Sequence, residues 1–527
     1  MAELRNGDSL SFGDALFLHL ERHGSPLHVA AVCIFDGDIP LEELAAHIES
    51  RLPLIPRYLQ RVIPAPFGLG MPMWEFDPAF EIHNHVREIR LKRGTDAELQ
   101  KQVSEVLSHR LHRERPLWEF TLFSGLRGKR CALLARVHHA LADGISGVSM
   151  LNVIMDSEAN PRAKATKPLP TPDFTPRDPA TQLMDSLVTS WFSMLERVLT
   201  VESQVLRFAQ DMVAKAANGV NGNGSDEMVQ NAIPPNLPDL LPEFGAPPDR
   251  LPFNVVCRGP QSFEWTEVPF DDIRAIKRVC GATVNDAMLT LIAMTIRKYA
   301  QAKGASIDKR IVRIVLPVNV RTAEQAEGLG NQITFVPVTV PLGIEDPKEL
   351  LEAVHMRTAA VKQIRLAEMV AFGGTLLGTI PTAFQIFAAP IVSQLPLPLL
   401  NFICTNVPGP QQPLYILGRR MLTCYPYVPI GGEMGMNCAI LTYDGKAFVG
   451  FTCDVPATPD SALLPKFLQE SFVELKAAVG IQPKRAAKKR VVPKKAAPAT
   501  ELATQQPEPL PVKSVETEKV MAAAASD

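Results

Sequence analysis

The pattern of apolar and polar positions predicts strands and helices that follow one another in both halves of the chain. Short, mostly apolar runs of seven or eight residues are typical of buried strands. Apolar positions three and four residues apart indicate helices that bury one face. The strands predicted in this way are 28–35, 131–137, 311–318 and 333–340. The predicted helices are 41–52, 145–155, 346–362 and 461–479. We therefore expect an α/β fold.

The chain divides into four regions by composition. Residues 1–160 and 261–481 both alternate strands with helices, and we expect them to form two α/β lobes. Residues 161–260 hold 14 of the 46 prolines, on either side of an amphipathic helical stretch at 181–216, and are expected to connect the lobes. Residues 482–527 are rich in Lys, Ala and Pro, and this composition predicts a disordered tail.

The charges nearly cancel, since 54 Lys and Arg stand against 56 Asp and Glu and leave a net charge of −2. This balance gives no reason to expect a nucleic acid as partner. The tail carries nine basic and five acidic residues, so the rest of the chain has 45 basic and 51 acidic residues. Seven of the basic residues lie within 484–495. They form either a solvated segment or a segment attracted to anionic lipid headgroups.

Cysteines and apolar stretches bear on the cellular compartment. The eight cysteines form no C-x-x-C pair, which favours free thiols in a reducing compartment, and the N-terminus carries charges where a signal sequence would be apolar.

Residues 369–418 contain no charged residue. This stretch has three interpretations: a membrane span, a buried core or acyl-tunnel segment, or an interfacial surface. Prolines interrupt it, which argues against the span.

The strongest local signal for chemistry is the sequence HHALADG at residues 138–144. It follows the predicted strand 131–137, so two histidines stand at a strand end. A neutral imidazole can accept a proton at cellular pH, and an alcohol that attacks an acyl carbonyl needs such a base. Asp143 could fix the loop or orient an imidazole, and Gly144 permits a tight turn or the close approach of a ligand.

This motif has other interpretations. His138, His139 and Asp143 could bind a metal ion, but adjacent residues of a strand point to opposite faces, so neighbouring histidines rarely bind one metal. We therefore expect no metal. A purely structural role for both histidines is the second alternative. A Ser or Cys nucleophile has no support, because the chain has no G-x-S-x-G sequence and no cysteine in a nucleophile motif.

The pattern HHxxxDG resembles the active-site motif of the CoA-dependent acyltransferase superfamily, which includes chloramphenicol acetyltransferase, carnitine acyltransferases and peptide-synthetase condensation domains. Over about residues 9–480 the chain is similar to the bacterial wax ester synthase/acyl-CoA:diacylglycerol acyltransferase family. The similar segments are FGDALFLHLE at 12–21, PLHV at 26–29, RPLWE at 115–119, ATVNDA at 282–287, LPVNVR at 316–321, LGNQ at 329–332, NVPGP at 406–410 and PLY at 413–415. Residues 431–437 diverge more, and Thr405 stands where Ser is common.

The resemblance implies a role for each matching residue. His139 would be the general base that takes the proton of the acceptor alcohol, His138 would shape the site beside it, and Asp143 would be structural. Asn285 and Thr405 are candidates to donate hydrogen bonds to the oxyanion of the tetrahedral intermediate. Asn285 has an alternative role as the N-cap of the helix that follows it.

The resemblance also implies the fold, which is two chloramphenicol-acetyltransferase-like lobes, each a mixed sheet with helices, with an active-site channel between them. Pro116, Leu117 and Trp118 are expected to pack rather than to contact substrate. No tightly bound cofactor is implied, and acyl-CoA would enter as a co-substrate.

The implied reaction transfers a long-chain fatty acyl group from acyl-CoA to diacylglycerol, or to a fatty alcohol, which gives a wax ester. Two alternatives keep the same fold: a condensation-type enzyme that uses carrier-protein thioesters, and a non-catalytic lipid-binding protein. The apolar substrates and the basic tail lead us to expect a cytoplasmic protein, associated peripherally with the inner face of the plasma membrane or with lipid inclusions.

Overall fold

The computed structural model describes residues 8–22, 24–65, 71–141, 153–160, 248–319, 333–363 and 400–481. The strands are β1 (Asp8–Ser9), β2 (His28–Asp36), β3 (Gln60–Ile63), β4 (Met73–Phe76), β5 (Val86–Arg90), β6 (Trp118–Leu126), β7 (Arg130–His138), β8 (Gln261–Pro269), β9 (Ile311–Asn319), β10 (Ile333–Pro341), β11 (Phe402–Pro408), β12 (Tyr415–Ile416), β13 (Arg419–Tyr427), β14 (Met436–Tyr443) and β15 (Lys446–Asp454). The helices are α1 (Phe12–Leu20), α2 (Leu41–Arg51), α3 (Asp96–Leu107), α4 (Phe270–Cys280), α5 (Val284–Ala302), α6 (Pro347–Gln363) and α7 (Leu463–Ala478).

The first six-stranded sheet has the order β12-β13-β2-β7-β6-β5, and together with α1 to α3 it is called the first lobe below. β5 and β6 are parallel and the other pairs are antiparallel, so the sheet is mixed. Its strands β12 and β13 come from the C-terminal half of the chain, where Tyr425 pairs with Val32 of β2. The division of the chain at 161–260 stays a prediction, and this sheet combines strands from both predicted lobes.

The second six-stranded sheet has the order β10-β9-β11-β14-β15-β8, and together with α4 to α7 it is called the second lobe. β11 runs parallel to both of its neighbours, and the remaining pairs are antiparallel. α4 ends at Gly281, whose φ of 67° is the left-handed conformation that glycine adopts at helix ends. α5, which follows, is buried over most of its length and forms the centre of this lobe's core.

Aromatic side chains join the two lobes at the point where β13 enters the first sheet. Phe263 and Trp265 of β8 lie against Tyr427 and Tyr425 of β13, with ring centroids 5.4 Å and 5.3 Å apart. The side-chain amide of Gln100 on α3 also donates to the carbonyl oxygen of Phe263 (3.1 Å). β13, which comes from the C-terminal half of the chain and pairs in the first sheet, therefore provides an apolar contact between the two lobes.

A small antiparallel sheet of order β1-β4-β3 places the opening helix. Leu10, Ala15, Met71 and Trp74 form an apolar cluster that packs α1 against this sheet. Ser11 caps α1, since its Oγ accepts the backbone N–H of Asp14 (3.1 Å). The position of α1 is thus set by packing and by a local cap, and this helix forms one side of the site described below.

The predicted mixed α/β fold is confirmed, as are most of the predicted elements. The predicted strands correspond to β2, β7, β9 and β10. The predicted helices 41–52, 346–362 and 461–479 correspond to α2, α6 and α7. The eight cysteines are all in described residues and are free thiols, as expected. Predictions that fall wholly or mostly outside the described residues concern 145–155, 181–216, 369–418 and 482–527.

Among the described residues, no single helix has the length and apolar composition needed to cross a membrane. α4 and α5 satisfy those two criteria only when taken together, as a pair bent by 105°.

Candidate active site

The two histidines of HHALADG lie where β7 ends and a turn begins. His138 is the last residue of β7 and is fully buried, whereas His139 begins the turn and is half-buried. The backbone N–H of His138 donates to the carbonyl oxygen of Leu117, and that of His139 donates to the carbonyl oxygen of Leu27, both at 2.9 Å. The backbone of His138 is therefore bound by the PLW segment, and the backbone of His139 by the segment that follows α1.

The ring of His138 has a hydrogen bond at one nitrogen and a carboxylate near the other. Its Nδ1 accepts the backbone N–H of Ala140 (3.0 Å), so the proton of the neutral ring lies on Nε2. That Nε2 lies 3.5 Å from Oε1 of Glu21, and both side chains are only 1% exposed. Burial lowers the pKa of His138, although the neighbouring carboxylate of Glu21 raises it in part. The ring is thus held neutral, in one tautomer and one orientation.

Glu21 ends α1 and connects three separate parts of the first lobe. Its Oε2 accepts hydrogen bonds from Nη2 (2.6 Å) and Nε (3.2 Å) of Arg113, and its Oε1 accepts the backbone N–H of Leu27 (3.0 Å). Burial raises the pKa of Glu21, but contacts with His138, Leu27 and Arg113 outweigh it and lower the pKa to about 2. Glu21 is therefore an anion at cellular pH, although it is buried.

His139 has different surroundings from its neighbour. Its imidazole is stacked on the phenyl ring of Phe17 from α1, with ring centroids 3.9 Å apart and an interplanar angle of 13°. His139 is also more exposed than His138. Of the two histidines, His139 is therefore the more exposed one, and its ring lies nearly parallel to that of Phe17.

Asp143 and Gly144 lie outside the described residues, so the roles expected for them stay predictions. The metal interpretation includes Asp143 and therefore also stays untested; among the described residues, no group of three His, Cys, Asp or Glu side chains could hold a metal ion.

The PLW segment is part of the core of the first lobe. Leu117 and Trp118 are buried, and the indole N–H of Trp118 donates to the carbonyl oxygen of Tyr58 (2.7 Å). The carbonyl oxygen of Pro116 accepts the backbone N–H of Trp118 (2.8 Å). Because the carbonyl of Leu117 also accepts the N–H of His138, packing of this segment helps to position the histidine.

The N-cap of α5 is Thr283, so the alternative role of Asn285 as N-cap is wrong. Oγ1 of Thr283 accepts the N–H of Asp286 (3.1 Å), and Oδ2 of Asp286 accepts the N–H of Thr283 (2.8 Å), which is a capping box. Asp286 also accepts hydrogen bonds from Oγ1 of Thr358 and Nδ1 of His355, both at 2.7 Å. Burial raises the pKa of Asp286, but these donors outweigh it and lower the pKa.

Asn285 lies in the first turn of α5 and contacts β11. Its Oδ1 accepts a hydrogen bond from Nδ2 of Asn406 (3.2 Å). Asn406 follows Thr405 on β11, and both are half-buried. The structure therefore brings the predicted Asn285 next to the strand that carries the predicted Thr405, and their role as oxyanion donors stays a prediction.

Three residues at the histidine motif, Phe17, Glu21 and Arg113, received no role from the sequence. The sequence held one local signal for Glu21. It is an acidic residue directly after an apolar helix and shortly before Pro26 and Leu27, and a charged side chain is unusual in such an apolar segment. Nothing local connects Arg113 to it, since 92 positions separate the two.

Two family models match the chain. The model described as the wax ester synthase/diacylglycerol acyltransferase catalytic domain matches residues 10–288, which is more than half of the chain. The model described as the C-terminal domain of the same family matches residues 329–476. The first match includes both histidines of the motif, and the second includes Thr405.

Relatives match over nearly the whole chain. The chain is 26% identical over 473 residues to tgs1 of Mycobacterium tuberculosis, named a probable diacylglycerol O-acyltransferase, with 88% of this chain and 94% of the relative covered. The same identity holds over 485 residues to tgs2 of that organism, another probable diacylglycerol O-acyltransferase, with 90% and 100% covered.

Solved structures share the fold. The wax ester synthase/diacylglycerol acyltransferase of Marinobacter aquaeolei has a TM-score of 0.58 and 22% identity, with 90% of this chain and all of that chain covered. The first condensation domain of the CDA synthetase has a TM-score of 0.54 and 14% identity, with 91% and 98% covered. At these identities the likeness shows the fold alone.

Proposed function

Because the chain belongs to the wax ester synthase/diacylglycerol acyltransferase family, and is an acyltransferase of that family, we propose that it transfers a long-chain fatty acyl group from acyl-CoA to diacylglycerol. A fatty alcohol is the second acceptor that we propose, and its product is a wax ester. The names of the mycobacterial relatives support diacylglycerol as the first acceptor. In this proposal acyl-CoA is a co-substrate, and no bound cofactor takes part.

The observation that carries the proposed mechanism is the contrast between the two adjacent histidines. His138 is buried beside the anionic Glu21, with Nδ1 occupied by a backbone N–H. His139 is half-buried and oriented by a stacked ring. A general base must reach its substrate and still have a defined orientation, and His139 meets both conditions.

The proposed reaction proceeds without a covalent acyl-enzyme. The His139 imidazole takes the proton of the acceptor hydroxyl while the hydroxyl oxygen attacks the thioester carbonyl carbon. The tetrahedral oxyanion accepts hydrogen bonds, for which Asn285 and Thr405 are the proposed donors. When the carbon–sulfur bond breaks, the CoA thiolate leaves and receives the proton from the imidazolium of His139, so the base is restored.

The test measures CoA release and neutral lipid from purified protein given labelled palmitoyl-CoA, with diacylglycerol and hexadecanol in separate tubes. The wild type should release CoA and form triacylglycerol, with wax ester from hexadecanol. His139→Ala should lose about 1000-fold or more of this rate, because the variant lacks the imidazole that accepts the proton. His109→Ala is the matched control, since that histidine of the same lobe is 70% exposed and lies on the surface.

Two results would contradict the proposal. The first is acyl-CoA binding by the wild type without CoA release in either tube, which favours a lipid-binding protein. The second is a His139→Ala protein with native circular dichroism and an undiminished rate, which removes His139 from the reaction.

We also propose peripheral binding to anionic membrane surfaces, based on the seven basic residues within 484–495. Flotation of the full chain with vesicles that contain phosphatidylglycerol should bring the protein to the top fraction at low salt, and 0.5 M salt should release it. Replacement of the seven basic residues by Gln should abolish flotation. Equal flotation of that variant would exclude this segment as the attachment site.

A further inference from the structure

Phe17 and His139 form the closest pair of stacked rings in the described part of the chain. The centroid separation is 3.9 Å and the interplanar angle is 13°, so the rings face each other almost in parallel. Phe17 belongs to α1, whereas His139 follows β7, and 122 positions separate them in sequence. The contact therefore exists only because the fold brings α1 to the end of β7.

The frame around this pair leaves α1 little freedom to shift. Oε1 of Glu21, at the end of α1, accepts the N–H of Leu27, and the carbonyl oxygen of Leu27 accepts the N–H of His139. Arg113 anchors Glu21 through two further hydrogen bonds. One residue, Leu27, thus connects the end of the helix that carries Phe17 to the backbone of the histidine on which Phe17 stacks.

The stacked geometry has two chemical consequences for an imidazole that acts as a base. Rotation about the last side-chain bond of His139 changes the direction of both ring nitrogens, and a flat ring on one face prevents that rotation. The π face of Phe17 also attracts the imidazolium that forms when His139 takes a proton. An aliphatic side chain of similar size would fill the space without supplying either effect.

We propose that Phe17 is a positioning residue, which orients the His139 imidazole toward the acceptor hydroxyl and stabilises its protonated form. This inference rests on the proposed function, since it requires His139 to be the base. Phe17 acts through His139 and needs no contact with substrate. A role in packing alone would change stability, but it would not change the rate of the chemical step in folded protein.

The kinetic test compares Phe17→Leu, Phe17→Tyr and a matched control. Phe80→Leu is that control, because it removes a comparable ring contact in the same lobe, with His85 rather than His139 (5.2 Å, 18°). Phe17→Leu should lower kcat about tenfold and leave KM for palmitoyl-CoA within about twofold. Phe17→Tyr keeps the aromatic face and should restore kcat to within about threefold of the wild type. Phe80→Leu should keep kcat within about twofold of the wild type, even if it lowers the melting temperature.

A spectroscopic readout tests the contact without turnover. In protein labelled at histidine, the ring protons of His139 should resonate upfield because of the stacked phenyl ring, and His139→Gln identifies them by their absence. Phe17→Leu should move these resonances downfield, whereas Phe17→Tyr should keep them.

The outcomes separate this inference from the proposed function. If His139→Ala is inactive while Phe17→Leu keeps the wild-type kcat, the positioning role is overturned and the proposed function stands. If Phe17→Leu and Phe80→Leu lower kcat equally, Phe17 contributes only to packing and the inference is again overturned. If folded His139→Ala is fully active, the proposed base and this inference fail together.

Discussion

Each lobe places a buried carboxylate next to a histidine, and the two pairs differ in the exposure of the histidine. In the first lobe, Glu21 and His138 lie 3.5 Å apart and both side chains are 1% exposed. In the second lobe, Asp286 and His355 lie 2.7 Å apart, with the carboxylate fully buried and the histidine 42% exposed. The residue types are similar, but the surroundings of the two pairs are not.

The difference shows that the surroundings, rather than the pair itself, decide what a carboxylate–histidine contact does. Glu21 keeps its charge in the core because Arg113 and the N–H of Leu27 bind it, and the buried His138 beside it is held in one tautomer. Asp286 instead completes the capping box at the start of α5, and the outer part of His355 faces solvent. The Glu21–His138 pair lies directly beside the candidate catalytic His139, whereas Asp286 of the second pair caps the start of α5.

The largest expected effect comes from removing the carboxylate of the first pair. Glu21→Ala leaves Arg113 without its carboxylate partner and His138 without the neighbouring anion, so the free energy of unfolding should fall by about 3 kcal/mol. CoA release per folded molecule should fall at least about tenfold, because the histidine segment loses its anchor at Leu27. Urea unfolding and the palmitoyl-CoA assay measure the two quantities.

Glu105→Ala is the control for that substitution, because Glu105 contacts His109 on the surface with both side chains about 70% exposed. It should leave the urea midpoint and the rate of CoA release unchanged. If Glu21→Ala behaves like Glu105→Ala, the buried pair does not organise the site.

A smaller loss is expected from the carboxylate of the second pair. Asp286→Ala removes the capping box of α5 and leaves the N–H of Thr283 without its acceptor, so the free energy of unfolding should fall by about 2 kcal/mol. Asp286→Asn keeps an acceptor oxygen and should recover part of this loss. Urea unfolding of both variants measures it, with the exposed Asp271→Ala of α4 as control. Equal stability of Asp286→Ala and the wild type would contradict the capping role.

The pH dependence of stability should come mainly from histidines of the first half of the chain, because ten of the eleven histidines lie at or before residue 139. Burial lowers the pKa of five of them from 6.5, namely His19, His28, His47, His85 and His138. Below pH 6.5 the unfolded chain takes up more protons at these sites than the folded chain does, because the pKa of each is lowered on folding. The free energy of unfolding should therefore decrease as the pH falls from 6.5 toward 5.

His28 gives a specific test of that slope. It is fully buried beside Tyr427, and neither ring nitrogen has a hydrogen-bond partner among the described residues. His28→Phe keeps the stacked ring and removes one titrating group, so the slope below pH 6.5 should decrease by up to about 1.4 kcal/mol per pH unit. Urea unfolding at pH 7.5, 6.5 and 5.5 measures it, and an unchanged slope would show that His28 titrates normally.

The smallest effect is expected from the exposed partner of the second pair. His355→Ala should lower the free energy of unfolding by no more than about 1 kcal/mol, because solvent screens the outer part of the ring. In a double-mutant cycle, His355→Ala should cost nothing further once Asp286 is Ala. A larger cost in that background would show that His355 stabilises the second lobe through other contacts.

The sequence alone determined those features whose cause is local. β2 and β7 follow from apolar runs between turn residues, and α7 follows from apolar positions at helical spacing, because burial of a face leaves a period in the sequence. HHALADG was also local, since adjacent residues place two histidines at a strand end, whereas the assignment of the base to His139 came from the family resemblance. The capping box of α5 was also local, as Thr283 and Asp286 stand three positions apart, and the N-cap is Thr283 rather than Asn285.

Only the tertiary structure decided which distant residues meet. Glu21 and Arg113 are 92 positions apart, and β13 joins β2 so that the thiols of Cys424 and Cys33, 391 positions apart, lie 3.4 Å from each other. The spacing of apolar residues in the sequence does not predict such contacts, because they depend on strand order and on which helix covers a strand end. Phe17 is one more apolar position of an amphipathic helix until the fold places its ring on His139.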